Sequence, residues 1–148
     1  MDRSFSQRNA ATRQKLRDLV ENLDAETLTR PMDEDWTIAA VMAHLAFWDE
    51  WNLVRWRKYR ETGEIAGVSS MAAIDMINDS ALPAQRALDP HQAVALALET
   101  AEAGDRYIED LPDDQIAFAL SDNRNIYVDR SIHRDQHIPD IERVLAEW

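Results

Sequence analysis

Four long stretches of this chain repeat apolar side chains at the three-to-four-residue spacing of an amphipathic helix, and that period restricts the fold more than any other feature. The first, residues 4–23, sets Phe5, Leu16, Leu19, Val20 and Leu23 on one stripe. The second follows Asp35, Trp36 and Thr37, where Thr37 or Asp35 can cap the free backbone N–H groups, and should stop near Gly63. The third opens with Asp89 as N-cap and Pro90 in the first helical position, where a missing N–H costs nothing, and runs to about Asp110. The fourth lies within residues 128–148. Between the second and third come Gly63, Gly67, Ser69 and Ser70, then a shorter helix through Ile74 and Ile77. That connection is too long for a tight helical hairpin and should cross one end or side of a bundle.

The expected fold is therefore all-α: a single domain over residues 1–148, a four-helix bundle with a long crossover between helices 2 and 3 carrying a short extra helix. The 3 glycines and 5 prolines argue against a loop-rich β fold. The stretch "DDQIAFALSDNRNIYVD" could hold a brief extended run, but its alternation is too poor for a sheet. Pro139 falls inside the fourth periodic segment, where a proline costs about 3 kcal/mol unless the helix bends to absorb it. A continuous helix, bent at Pro139, is expected.

The net charge of −12 repels phosphate backbones, so no nucleic-acid partner is expected. The basic run "RWRKYR" is flanked by acidic segments and reads as a solvated face. Without cysteine the chain has no disulfide, no thiolate nucleophile and no Cys-based metal site, which fits a cytoplasmic protein. The N-terminal "MDRSFSQRNAATRQ" is polar, unlike a signal peptide. The longest apolar run, "TIAAVMAHLAFW", is far short of the roughly 20 residues of a membrane span.

Chemistry concentrates in the 4 histidines, His44, His91, His133 and His137. His91 sits beside Pro90 in a first helical turn and needs no function there. His133 and His137 are one helical turn apart and point the same way, which suits either two metal ligands or two polar residues on a wet face. His44 has Ala40, Val41, Phe47 and Trp48 as its one-turn neighbours, so it belongs to an apolar face or its border. Alone it reads as a core-edge histidine satisfied by one hydrogen bond. Facing the His133/His137 pair, it would complete three imidazoles from different helices, leaving at least one metal coordination position open. Other chemistries lack their residues. "HRDQH" has no glutamate after its first histidine, so the zincin base is missing; no Glu-x-x-His occurs for a di-iron site; no serine stands in a nucleophile turn.

Three segments carry a family resemblance. "DWTIAAVMAHLAFWDEW" resembles the Trp-(Ser/Thr)-…-His-Leu-…-Trp stretch of the DinB/YfiT-like metalloenzymes, and "HRDQHIPDIERVL" resembles their closing His-x-x-x-His segment. "AAIDMINDSAL" is similar to the Asn-containing segment of relatives of mycothiol-dependent maleylpyruvate isomerase. The likeness runs through nearly the whole chain in order and spacing. It implies a four-helix bundle, often dimeric, holding a divalent metal (Ni, Zn, Fe or Mn) on His44, His133 and His137. It departs from the family at Gln136, where relatives often carry an acid; Asp135 stands one place earlier. Asp129 or Asp140 could orient a ligand imidazole, though both read more readily as solvent-facing carboxylates.

The resemblance implies a metal-dependent enzyme acting on a small molecule, with water or an external low-molecular-weight thiol as nucleophile: a hydrolase, or a thiol-dependent transferase or isomerase. Trp48, Trp51 and Arg55 continue along the helix of His44 and could line a substrate pocket, or be core tryptophans and a snorkelling arginine. The alternatives are a non-catalytic metal-binding or stress-response helical dimer, and a metal-free interaction module.

Overall fold

The computed structural model describes residues 1–147, and the elements among them are all helical: α1 (Phe5–Val20), α2 (Ala25–Leu28), α3 (Ile38–Thr62), α4 (Met71–Ala87), α5 (Pro90–Glu109), α6 (Asp113–Ser121), a 3-10 turn (Asn125–Tyr127) and α7 (Ser131–Ala146). One isolated antiparallel bridge joins Pro31 to Thr37. The four long periodic segments become α1, α3, α5 and α7, and the helix in the connection becomes α4. Trp148, the end of the fourth expected segment, lies outside the described residues. No helix among the described residues is long and apolar enough to cross a membrane.

Local chemistry sets most of these boundaries. The Thr37 hydroxyl, rather than Asp35, caps α3 by accepting from the Ala40 N–H at 3.0 Å. Asp89 Oδ1 accepts from the N–H groups of His91 and Gln92, both at 3.0 Å, at the start of α5. Helix α3 ends where Gly63 adopts φ 74°, donating to the Tyr59 carbonyl at 2.8 Å. A side chain at Gly63 would meet nothing within 4 Å, so the position favours glycine for its left-handed backbone and not for space. Pro139 is accommodated inside α7, which runs unbroken on both sides of it.

Two elements depart from the sequence expectation. The stretch offered as a brief extended run is helix α6. Asp113 and Asp114 place carboxylates in its first turn, where the free N–H groups attract negative charge, and Ile116 and Ala119, three residues apart, are its buried face. The short α2 was not anticipated; Asp24 Oδ1 caps it by accepting from the Thr27 N–H at 2.8 Å. That bond is the main reason the Asp24 carboxyl is held below the usual carboxylate range.

The contacts divide the chain into two compact units. One comprises residues 24–97. Within it α3 packs on α4, and every residue of 38–46 is buried, so this half of α3 is apolar all round with His44 embedded in it. The other comprises residues 1–23 and those from 98 onward. Within it α1 packs on α7; Phe5, Leu16 and Val20 of the first and Ile138, Ile141 and Val144 of the second are buried.

The start of α7 is capped from a distance. Its N-cap residue, Arg130, supplies no capping side chain. Instead Asn9 of α1 accepts from the Ser131 N–H at 3.0 Å through Oδ1 and donates Nδ2 to the Val128 carbonyl at 2.9 Å. An N–H that every helix leaves open is thereby satisfied by a buried side chain of another helix.

Candidate metal centre

On α7 the one-turn spacing brings the Nε2 atoms of His133 and His137 to 3.3 Å, with the ring planes at 80°. Both residues are half-buried. Metal–imidazole bonds of about 2.0–2.1 Å in a tetrahedral site put two ligand nitrogens roughly 3.3–3.4 Å apart. The pair therefore already stands at ligand spacing. Burial pushes the His137 imidazole below the ordinary histidine range, while the nearby Asp140 carboxylate pulls it the other way. Burial dominates and favours neutral imidazole, the form that coordinates a metal.

On α3, His44 is buried, at 5% exposure. The ring of Trp36, just ahead of the helix, stands edge-on to it at 5.4 Å and 87°. Trp36 also lines an open cleft of about 600 Å³ with Glu34, Asp35, Asp79, Leu82 and Arg86. His44, His133 and His137 form a group able to hold a metal ion: each offers one ring nitrogen, and these nitrogens all lie within 4.8 Å of one another. The donor set suits such an ion, because three neutral imidazoles leave a dication's charge uncompensated and at least one position open.

Trp48 and Trp51 belong to an aromatic cluster on α3. Their rings lie 5.4 Å apart, and Phe47 stands 5.2 Å from Trp48 and 6.1 Å from Trp51. Trp48 donates its indole N–H to Asn78 Oδ1 at 2.8 Å, tying α3 to α4 through the asparagine of the connecting segment. Arg55 is buried. It donates Nε to the Ala66 carbonyl at 2.7 Å and Nη1 to Asn52 Oδ1 at 2.8 Å, holding the backbone that leaves α3. His91 is exposed, as its place in a first turn suggested.

The expectation of a solvent-facing Asp129 is overturned. Asp129 is buried, ion-paired with Arg8 at 2.8 Å, and accepts from the Ser131 hydroxyl. Its two oxygens are engaged at the base of α7 and not on an imidazole. Asp140 does face solvent, with Arg143 3.8 Å away.

Sequence reasoning also missed a charged cluster beside the histidine pair. Arg134 is 1% exposed and forks onto Asp105 of α5, Nη1 to Oδ2 at 3.0 Å and Nη2 to Oδ1 at 2.9 Å. Arg134 Nη1 also donates to the Asn9 carbonyl at 3.1 Å, and Arg13 reaches the same Asp105 carboxylate at 2.5 Å. The signal was present in the spacing: Arg134, Ile138 and Ile141 share one helical stripe, and so do Phe5, Asn9, Thr12 and Leu16. A charge or amide on an apolar stripe announces a buried partner.

No curated protein and no solved structure matches the chain. Residues 8–148, nearly the full length and both ends of the histidine set, match the family model described as DinB superfamily. With its helices and its histidines in that order, the chain belongs to the DinB superfamily.

Proposed function

We propose that His44, His133 and His137 hold one divalent metal ion and that the chain is a metal-dependent enzyme acting on a small molecule. The proximity of the three imidazole nitrogens, all within 4.8 Å of one another, carries the reading. Membership of the DinB superfamily supports it. When bound, such an ion supplies a lowered pKa to a coordinated water or thiol, which makes a nucleophile near neutral pH. A thiol would have to come from outside, because the chain has no cysteine. Nickel, zinc and iron suit an all-imidazole set better than manganese, which favours oxygen ligands.

The chain's own residues have separate tasks in this reading. The His133/His137 pair presents two ring nitrogens 3.3 Å apart, and burial favours the neutral form of His137. Trp36 packs against His44 and lines a cleft whose volume, about 600 Å³, falls in the range that takes small ligands. Trp48 and Trp51 offer aromatic surface to the apolar part of a substrate, and Arg55 anchors the backbone that leaves the same helix through the Ala66 carbonyl.

Metal analysis of protein purified without a histidine tag tests the proposal. About one equivalent of divalent metal per chain is expected, and at a hundredfold excess over its dissociation constant it would stabilise the fold by about 2.7 kcal/mol. Protein from cells supplied with nickel, zinc, iron and manganese that carries none of them would sink it. The burial of His44 favours a second reading, a structural or sensing ion without catalysis. Small thiols that perturb the spectrum of the cobalt-substituted protein would favour the enzyme; a spectrum inert to thiols and anions would favour the structural ion.

The reading also takes the protein as a homodimer. Met71 and Met76 of α4 are 70% and 71% exposed, and Gln85 alone on that helix is buried within the chain. Sedimentation equilibrium should give twice the 17.0 kDa chain mass, whereas a monomer at tens of micromolar would refute the dimer.

A further inference from the structure

Position 134 poses a question that packing alone does not answer. The other buried positions along α7 beyond its first turn are Ile138, Ile141 and Val144, yet the residue directly after His133 is an arginine that is almost wholly enclosed. Burying a guanidinium and a carboxylate is costly, and well-packed apolar residues of similar volume often serve stability as well or better. What an apolar pair does not supply is orientation. Contacts of isoleucine and valine are non-directional and tolerate a small helix rotation. A guanidinium fork on a carboxylate has one good geometry.

We propose that the Arg134–Asp105 fork, backed by Arg13 and the Asn9 carbonyl, is a positioning device that sets the rotation of α7 and so the direction of the His133/His137 pair. The inference rests on the metal reading for its purpose and on the geometry of α1, α5 and α7 for its mechanism. Arg134 is bonded to two elements at once: to the Asp105 side chain of α5 through both terminal nitrogens, and to the Asn9 backbone of α1. Asp105 is held in turn by Arg13 of α1 at 2.5 Å. Asn9 also accepts from the Ser131 N–H, so the same residue of α1 grips α7 at its first turn and again through Arg134.

The required accuracy shows why directional bonds are used. A rotation of about 20°, the drift of an ideal helix over one heptad, moves an atom about 6 Å from the helix axis by roughly 2 Å. Ligand distances at a metal tolerate about ±0.2 Å. Apolar packing leaves the larger error open, and the fork closes it. Arg134 and Asp105 are positioning residues in this scheme and touch neither metal nor substrate.

The test is the double substitution Arg134→Met with Asp105→Leu, which removes both buried charges together, Arg13 being free to reach water at 22% side-chain exposure. The variant should melt within a few degrees of wild type yet bind zinc or nickel at least about tenfold more weakly in a competition titration. Arg134→Lys, which keeps the charge and loses the fork, should also weaken binding. It takes over the same readouts if the double variant does not fold. A folded variant whose affinity stays within about twofold of wild type overturns the proposal. If wild-type protein binds no metal, the metal reading fails by itself, and the crystal structure of the metal-free variant decides instead. There α7 should be rotated, with the histidine rings displaced by more than about 1 Å; superimposable helices would refute the positioning role.

Discussion

Arg134→Ala alone is expected to lower the stability of the chain by about 3 kcal/mol, near the lower end of what breaking a buried ion pair costs. The reason lies in what is left behind. Arg134 is 1% exposed and the Asp105 side chain is not exposed at all, so truncation removes both fork bonds from a carboxylate that water does not reach. The Asn9 carbonyl loses a donor in the same step. Arg13 still neutralises Asp105 at 2.5 Å, which keeps the loss from the upper end of the range. For a chain of this length the melting temperature should fall by roughly 10 °C, and the urea midpoint should move without a change of slope. A melting temperature within 2 °C or so of wild type would show that the cluster contributes nothing to stability. The contrast with the double variant is the informative part: removing one charge destabilises, while removing both together should not.

His137→Ala is expected to reduce metal affinity by at least about a hundredfold, more than the 10–100-fold typical of losing a residue that only supports a ligand. It takes away one of two nitrogens that stand 3.3 Å apart on α7, and with it the chelating pair. The fold should tolerate the change, because His137 is half-buried and its neighbour Ile138 carries the apolar packing on α7. His91→Ala is the matched control: an exposed histidine at the start of α5, whose loss should leave affinity unchanged. Equal affinities for wild type and His137→Ala, measured against a chromophoric chelator, would remove His137 from the site.

The helices were legible in the amino-acid sequence because their determinants are local. Thr37 and Asp89 cap residues three or fewer positions away, Gly63 ends α3 through its own backbone angle, and the one-turn spacing of His133 and His137 survives in any helix. Helix α6 was missed because its buried face is only Ile116 and Ala119, too short a pattern to separate from an extended run. Asp129 was placed in solvent for a different reason: nothing near it in sequence shows that Arg8 lies beside it.

Composition and periodicity were thus sufficient for the all-α class, for the limits of α3 and α5 and for the histidine pair. Tertiary structure alone decided which partners the buried polar residues meet. Asp105 stands 29 residues from Arg134 and the Asn9 carbonyl 125 residues from it, distances over which no local preference acts. The Thr37 and Asp89 caps, like each helical turn, are closed by atoms within four residues. A buried charge is tolerated only where packing delivers its partner, and the packing of α1, α5 and α7 is what delivers Asp105 and Asn9 to Arg134.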